Sequence, residues 1–506
     1  MKRPVSVIGS TFISFSTAVC LVGGGAGCGD ERDAANIPSV APEGNAIATS
    51  PSTDEVSSAP SSATDSQMPG SPDSPPNEGG PPQDSNFLGD EPGSEASADG
   101  SGGDPAGVEP ANAVPEGALP PVYGEEDTGS DCAEPSLPVF EALPAIPFLP
   151  DPFLLYSGER ITSRTQWRCR RAEIRATLEE FDIGEKPNEP AAVEASLDGN
   201  TIRITVAEAD TSFTMTANIG RPSNAASGPI PAIIGINTPT GSLPANVFSS
   251  RGIATITYDA NQVAPTSFGS NPRAAGNFFA MYPGATAGYM VRWAWGVSRI
   301  IDALEQLPEA NIDLSHLAVS GCSYQGKIAL YAGALDERIA LTIPHESGGG
   351  GTISWRYADM LERRDNTEVE NLLHAQGAPW YAEALQQFND APEKLPFDHH
   401  ELMALVAPRA LLAIESTAIA RMGAEAARVD ALAAREVWTA LGVPDRMGAA
   451  EENVNHCVWH DGFTPDLEAY VDRFLLGKEG VNTDILRSRF TIDTDTWIPW
   501  STPVLQ

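Results

Sequence analysis

The sequence predicts an α/β fold with a mostly parallel sheet and helices on both faces, preceded by a long segment unsuited to folding. Three observations predict this. Short apolar strands alternate with helical patterns from about residue 200 onward. One strand runs directly into a Gly-bounded serine turn and then a helix, at residues 317–327. Hydrophobic residues make up 41% of the 506, enough for a large core, while the excess of Gly and Pro sits in one early block.

Taken in order, residues 1–28 read as an export signal. Lys2 and Arg3 precede an apolar stretch from Val5 to about Val22, and small residues at 25–27 lead to Cys28. The ending Gly-Ala-Gly-Cys resembles a bacterial lipoprotein signal with Cys28 as the acylated first residue. An ordinary signal cleaved nearby is the alternative. The expected location is therefore a cell-surface or periplasmic lipoprotein, or secretion. Residues 29–125 are Ser, Pro, Gly and acids with few large apolar side chains, so ordering entropy outweighs what they can bury. They read as a disordered acidic linker. Residues 126–506 read as one α/β domain. Strands are expected at 201–206, 212–219, 231–236, 252–258, 316–320, 338–343 and 409–414. Helices are expected at 285–306, 327–335, 424–441 and 466–476. Apart from the signal, no apolar run reaches the ~18 residues of a membrane span.

The net charge is −37, and residues 29–131 hold 21 acids against the single base Arg32. A chain this acidic is not a nucleic-acid binder. A monomer is expected.

The chemistry centres on Gly321-Cys322-Ser323-Tyr324-Gln325-Gly326-Lys327. A strand, a sharp Gly-bounded turn with Ser at its apex and a helix make the geometry of a nucleophile elbow, although the second Gly sits one place later than in G-x-S-x-G. A serine hydroxyl needs a base, and the base needs an orienting acid. Glu346 ends one following strand, Glu415 ends the next as a rival acid, and His456 lies in a loop before the last helix. The order Ser323, Glu346 or Glu415, His456 fits this arrangement. Outside the signal there are four cysteines, Cys132, Cys169, Cys322 and Cys457, which allow three pairings. If Ser323 and His456 meet, their neighbours Cys322 and Cys457 come within bridging reach, which leaves Cys132 with Cys169.

The runs G-C-S-Y-Q-G-K, A-L-T-I-P-H-E-S-G-G-G-G, S-W-R, L-P-F-D-H-H-E-L-M-A-L-V-A-P-R, L-G-V-P-D-R-M-G and N-H-C, with W-A-W-G-V-S-R-I-I-D-A-L-E before them, resemble the glucuronoyl esterases, carbohydrate esterase family 15. The resemblance spans about Cys132 to Trp500. It implies a three-layer α/β/α sandwich of the α/β-hydrolase type. It also implies hydrolysis, without metal or cofactor, of the ester between 4-O-methyl-glucuronate of xylan and lignin alcohols. By the same resemblance Ser323 is the nucleophile, Glu346 the acid and His456 the base. Cys322–Cys457 and Cys132–Cys169 are its disulfides, and Lys327 binds sugar hydroxyls. Glu368 and Gln376 are the candidates for further sugar contacts, and Trp355 for a pocket wall.

Two departures stand out. Tyr324 occupies the place where the family usually carries an Arg facing the oxyanion, so only its backbone N–H and a neutral phenol remain. The loop 417–422 holds no Trp where the family often has one against the sugar. These departures motivate two alternatives: an esterase of the same fold with another carbohydrate or small-molecule ester as substrate, or a weakly active glycan-binding surface lipoprotein. Asp398-His399-His400 is expected to be structural rather than a metal site, because adjacent His side chains diverge and no further ligand lies at the right spacing. Trp293 and Trp295 are expected in the core, and His460 is a rival base.

Overall fold

The computed structural model describes residues 119–266 and 272–506, so the expectations for the signal, Cys28 and residues 29–118 lie outside the described residues. Nine strands form one sheet: β1 (Ala192–Asp198), β2 (Thr201–Glu208), β3 (Thr211–Gly220), β4 (Ile230–Ile236), β5 (Ala254–Tyr258), β6 (Ile312–Cys322), β7 (Leu341–His345), β8 (Ala410–Ser416) and β9 (Met447–Glu452). Their order is β1-β2-β3-β5-β4-β6-β7-β8-β9. From β5 to β9 every join is parallel, and β1, β2, β3 and β5 pair antiparallel at one edge.

The central strands are almost wholly apolar because both faces are covered. Ile233 and Ala318 enter one core while their neighbours Ile234 and Val319 enter the other. Helices α2 (Tyr289–Gln306) and α3 (Tyr324–Leu335) and the end of α5 (Ala424–Ala440) cover one face. Helix α6 (Thr464–Phe474) and the short helix Ala245–Ser249 cover the other. This is the three-layer sandwich expected. Trp293 and Trp295 are fully buried in α2, as expected of core residues.

Helix α1 (Arg164–Leu178) and strands β1 and β9 are among the elements that the sequence does not predict. Helix α1 is capped by Ser163 and Gln166 in a reciprocal capping box. Its arginines obscured the apolar stripe, because Arg170 and Arg171 are themselves buried, paired with Glu401 and Glu337. Strand β1 is a half-exposed edge, and β9 is Met-Gly-Ala-Ala-Glu-Glu, whose small and acidic residues carry little strand preference. Pairing with β8 makes β9 a strand.

Residues 119–125, read from composition as the end of the linker, lie against the domain. Leu119 packs on the core, Arg446 donates to the carbonyls of Leu119 and Pro120 at 3.0 Å each, and the Tyr123 N–H donates to the Glu337 carbonyl at 3.1 Å. Glu126 follows, ion-paired to Lys186 and Arg299. The disulfide Cys132–Cys169 then ties this segment to α1. One apolar side chain and backbone hydrogen bonds hold a stretch that composition alone groups with the linker. Among the described residues no helix is long and apolar enough to cross a membrane.

Candidate active site

The candidate residues converge where β6, β7, β8 and β9 end, at the carboxyl edge of the parallel strands. Ser323 sits between β6 and α3 with φ 61° and ψ −130°, a conformation that L-residues avoid. Its N–H donates to the His345 carbonyl at 3.0 Å, and its carbonyl accepts from the Lys327 N–H at 3.0 Å. The flanking glycines are required by space. A Cβ on Gly321 would lie 2.4 Å from the Gln325 carbonyl oxygen, and one on Gly326 2.7 Å from that of His345. The shift of the second Gly by one place therefore preserves the close strand–helix approach of an elbow. Tyr324 opens α3, so its N–H has no intrahelical carbonyl to meet.

Glu346 is buried, with φ 44°, and its N–H donates to the Ile414 carbonyl at 2.7 Å. Its Oε2 accepts from His456 Nδ1 at 2.6 Å and from the Cys457 N–H at 3.1 Å. His456 Nδ1 therefore carries the proton, and Nε2 is left as the basic nitrogen. His345 Nε2 lies 3.2 Å from Glu346 Oε1, off the line of a hydrogen bond, and the other His345 nitrogen meets the Ser242 hydroxyl at 2.5 Å. Burial works to raise the Glu346 carboxyl. The His345 and His456 imidazoles outweigh it and hold the group below its ordinary range.

The disulfide Cys322–Cys457, with 5.9 Å between Cα atoms, joins the residue before Ser323 to the residue after His456. Cys457 has φ 59°. Of the seven non-glycine residues with positive φ among the described residues, Ser323, Glu346 and Cys457 belong to this cradle and Asn237 adjoins it at the end of β4. Backbone strain is thus concentrated at one end of the sheet.

Glu415, the rival acid, is buried and accepts from the Thr352 hydroxyl. Burial, with Glu346 nearby, pushes it up to about 8, so it is largely protonated at neutral pH. The structure seats Glu346 against His456, and Glu415 behind it. The other rival, His460, is half-exposed and accepts at Nδ1 from the Gly462 N–H at 3.0 Å.

Beside this cradle lies a cavity of about 300 Å³ whose walls include Trp355, Glu370, His374, Trp380 and Arg421. Lys327 is buried one turn along α3 from the elbow. Its Nζ is 3.5 Å from Glu370 Oε2 and 5.5 Å from the centre of the Trp380 ring. Burial lowers its pKa, and Glu370 opposes that. The Gly349 N–H also donates to Glu370 Oε2, at 3.1 Å. Trp355 is a buried wall of the cavity. Glu368 and Gln376 are exposed and do not line the cavity. Glu368 pairs with His374 and Arg421 on the surface. Glu370 takes the inward place, where its Oε2 meets the Gly349 N–H and the Lys327 ammonium. Trp380 and Arg421 went unnoticed in the sequence. Trp380 lies in the turn between two short helical segments, Leu372–Ala375 and Glu383–Phe388, with no periodicity to mark it, and Arg421 stands in the loop that lacks a Trp.

Asp398 caps the short helix His399–Ala404 and pairs with Arg356, which is therefore structural. His399 bonds the Gly351 carbonyl at 2.7 Å and Asp182 at 3.0 Å, and His400 Nε2 bonds the Pro150 carbonyl at 2.9 Å. All three are buried. The two imidazoles point to different partners.

This geometry has close counterparts. A family model described as "Glucuronyl esterase, fungi" matches residues 204–442. The 4-O-methyl-glucuronoyl methylesterase of Hypocrea jecorina is 38% identical over 360 residues, covering 71% of this chain and 76% of that one. A serine-to-alanine variant of the glucuronoyl esterase from Sporotrichum thermophile, solved with methyl 4-O-methyl-β-D-glucopyranuronate, superposes with a TM-score of 0.69 at 36% identity. It covers 74% of this chain and 100% of its own. The family 15 glucuronoyl esterase from Caldicellulosiruptor kristjansonii gives a TM-score of 0.63 at 31% identity, covering 72% of this chain and 100% of its own. With a relative 38% identical over most of both chains and solved structures of the same fold matched over their whole length, this chain belongs to the glucuronoyl esterases, carbohydrate esterase family 15, and is a carboxylic ester hydrolase.

Proposed function

We propose that the chain hydrolyses the ester between (4-O-methyl-)glucuronate side chains of xylan and lignin alcohols through a Ser323–His456–Glu346 triad. The observation that carries this reading is the brace around the elbow: Glu346 on His456 Nδ1 at 2.6 Å, and the disulfide that binds the serine and histidine loops together. Ser323 Oγ attacks the ester carbonyl while His456 Nε2 takes its proton. Glu346 holds the imidazole in the correct tautomer and stabilises its charged form. The Tyr324 N–H at the start of α3 supports the oxyanion. The alcohol leaves with the proton from His456. Water then adds to the acyl-enzyme, giving its proton to His456, and the uronic acid departs as Ser323 regains a proton. Lys327 and Glu370, a donor beside an acceptor, suit vicinal sugar hydroxyls, with the Trp380 face as a wall. The bound uronate is esterified and uncharged, so this cavity of mixed charge suits it.

Arg421, in the loop without Trp, favours a second reading, in which the same chemistry serves another carbohydrate ester. Hydrolysis of a benzyl ester of glucuronic acid beside a simple acetyl ester separates the two, with Ser323→Ala as control. Preference for the uronate ester, lost by at least about 10⁴-fold in Ser323→Ala, is the expected result. Activity on the acetyl ester alone would select the second reading.

The same reading places residues 1–28 as an export signal and the stretch up to residue 118 as a spacer. Mass spectrometry of the mature N-terminus distinguishes acylated Cys28 from a free terminus.

A further inference from the structure

Asn237 stands just past the end of β4, beside the elbow strand β6, with φ 60°. Asparagine tolerates this left-handed conformation better than other side-chain-bearing residues. Its backbone N–H donates to the Tyr258 carbonyl at 2.7 Å, and its Oδ1 accepts from the Ala260 N–H at 3.0 Å. The second bond determines which way the amide faces. Nδ2, a donor only, is left pointing at the Tyr324 phenol, 3.1 Å away. Gln325 Nε2 approaches the same oxygen at 3.3 Å. The phenol oxygen thus receives N–H groups, and among the described residues its own O–H proton has no acceptor. The ring is held between Trp293, 5.8 Å away, and Trp380, stacked at 6.3 Å, and Trp380 also lines the cavity. An oriented, uncommitted hydroxyl proton therefore stands on the residue that directly follows Ser323.

We propose that the Tyr324 phenol is a second oxyanion donor, acting with the Tyr324 backbone N–H, and that Asn237 is the positioning residue that turns its proton toward the ester. The inference rests on the esterase reading above. A phenol that both gives and accepts hydrogen bonds would ordinarily donate its O–H to the nearest carbonyl or amide oxygen. Asn237 presents nitrogen instead, so the proton remains available to the carbonyl oxygen as charge develops there. The donor is neutral and contributes most in the transition state. Its loss accordingly falls on kcat rather than KM.

The test compares kcat and KM on the glucuronate benzyl ester for Tyr324→Phe, Asn237→Gly and the double variant. Tyr324→Phe keeps the ring stack. Glycine keeps the positive φ while deleting the amide. The expected result is a fall in kcat of roughly 10²-fold for Tyr324→Phe, with KM within about twofold. Asn237→Gly is expected to lower kcat on the order of tenfold in the parent and to add almost nothing in the Tyr324→Phe background. Thermal melting confirms that each variant folds. Full kcat in Tyr324→Phe would overturn the inference while leaving the esterase reading intact. So would an equal cost of Asn237→Gly in both backgrounds. An absence of Ser323-dependent hydrolysis of any ester in the parent protein would overturn both.

Discussion

The cradle of Ser323, Glu346 and His456 and the cavity beside it share one rim of the sheet but are built differently. The cradle is held by backbone: three positive-φ residues, two close-packed glycines, main-chain bonds from Ser323, Glu346 and Cys457, and a disulfide. The cavity is held by side chains. Lys327, Glu370 and Arg421 come from separate segments and meet through long, charged groups, with Arg421 half-exposed. Backbone geometry permits little drift and keeps reacting groups aligned. The pair made by half-exposed Arg421 is individually weak. The contrast teaches that the cradle tolerates little change, while the outer wall of the cavity can vary.

The largest effect tests the cradle. Glu346→Gln is expected to lower kcat by roughly 10²- to 10⁴-fold with KM nearly unchanged, since the amide cannot hold the correct tautomer and charge of His456. Steady-state kinetics check this. An equal rise in KM would mean that Glu346 belongs to the binding wall instead.

Next come the disulfides. Removing Cys322–Cys457 by paired Ser substitution releases a loop of 135 residues and is expected to cost about 5 kcal/mol of stability on the chain-entropy model. Removing Cys132–Cys169 releases 37 residues and is expected to cost about 4 kcal/mol. The two stabilities are similar, but kcat should fall only for the first pair. Denaturant unfolding and kinetics on the same samples separate the two quantities.

Lys327→Met tests the cavity. KM should rise about tenfold, the value of one hydrogen bond to a charged group, with kcat held within threefold. A collapse of kcat with unchanged KM would erase the distinction between the two regions.

The smallest effect on rate belongs to Glu415→Gln, because the native group is already largely protonated at neutral pH; kcat should stay within about twofold. Its signature is in stability. The folded group titrates near 8, above the ordinary ~4.3 of the unfolded chain. Its contribution to stability is therefore fully present below about pH 4.3 and is lost as pH rises toward 8. Melting temperatures at pH 5 and pH 8 should diverge less in Glu415→Gln than in the parent protein.

Much of the cradle was legible in the sequence because its signals are local. Gly321, Ser323 and Gly326 lie within six residues, and the cysteines adjoining Ser323 and His456 made their meeting plausible. The positions of Glu346 and Glu415 alone left the choice between them open, and it was the family resemblance that named Glu346. Both end parallel strands, and only the fold shows one against His456 and the other against Thr352. Around the cavity Lys327 and Trp355 were found, but Glu368 was named where Glu370 faces inward. Which residue of an irregular loop turns inward depends on the partners it meets, here the Gly349 N–H and Lys327, and not on any period. Helix α1 was missed for the converse reason: a capping box was written plainly at Ser163 and Gln166, but its buried face carries arginines that read as surface.

By itself, the sequence determined that the chain is an ester hydrolase of α/β form, with Ser323, Glu346 and His456 as its candidate triad. Hydrophobic periodicity, a Gly-bounded turn and a fixed order of nucleophile, acid and base are properties of short segments, which each segment carries with it. The tertiary structure alone decided the place of Glu415 behind Glu346, the inward acid of the cavity and the meeting of Asn237 with the phenol of Tyr324. Each of these depends on groups far apart in the chain approaching to hydrogen-bond distance, and that approach is set by packing of the whole sheet.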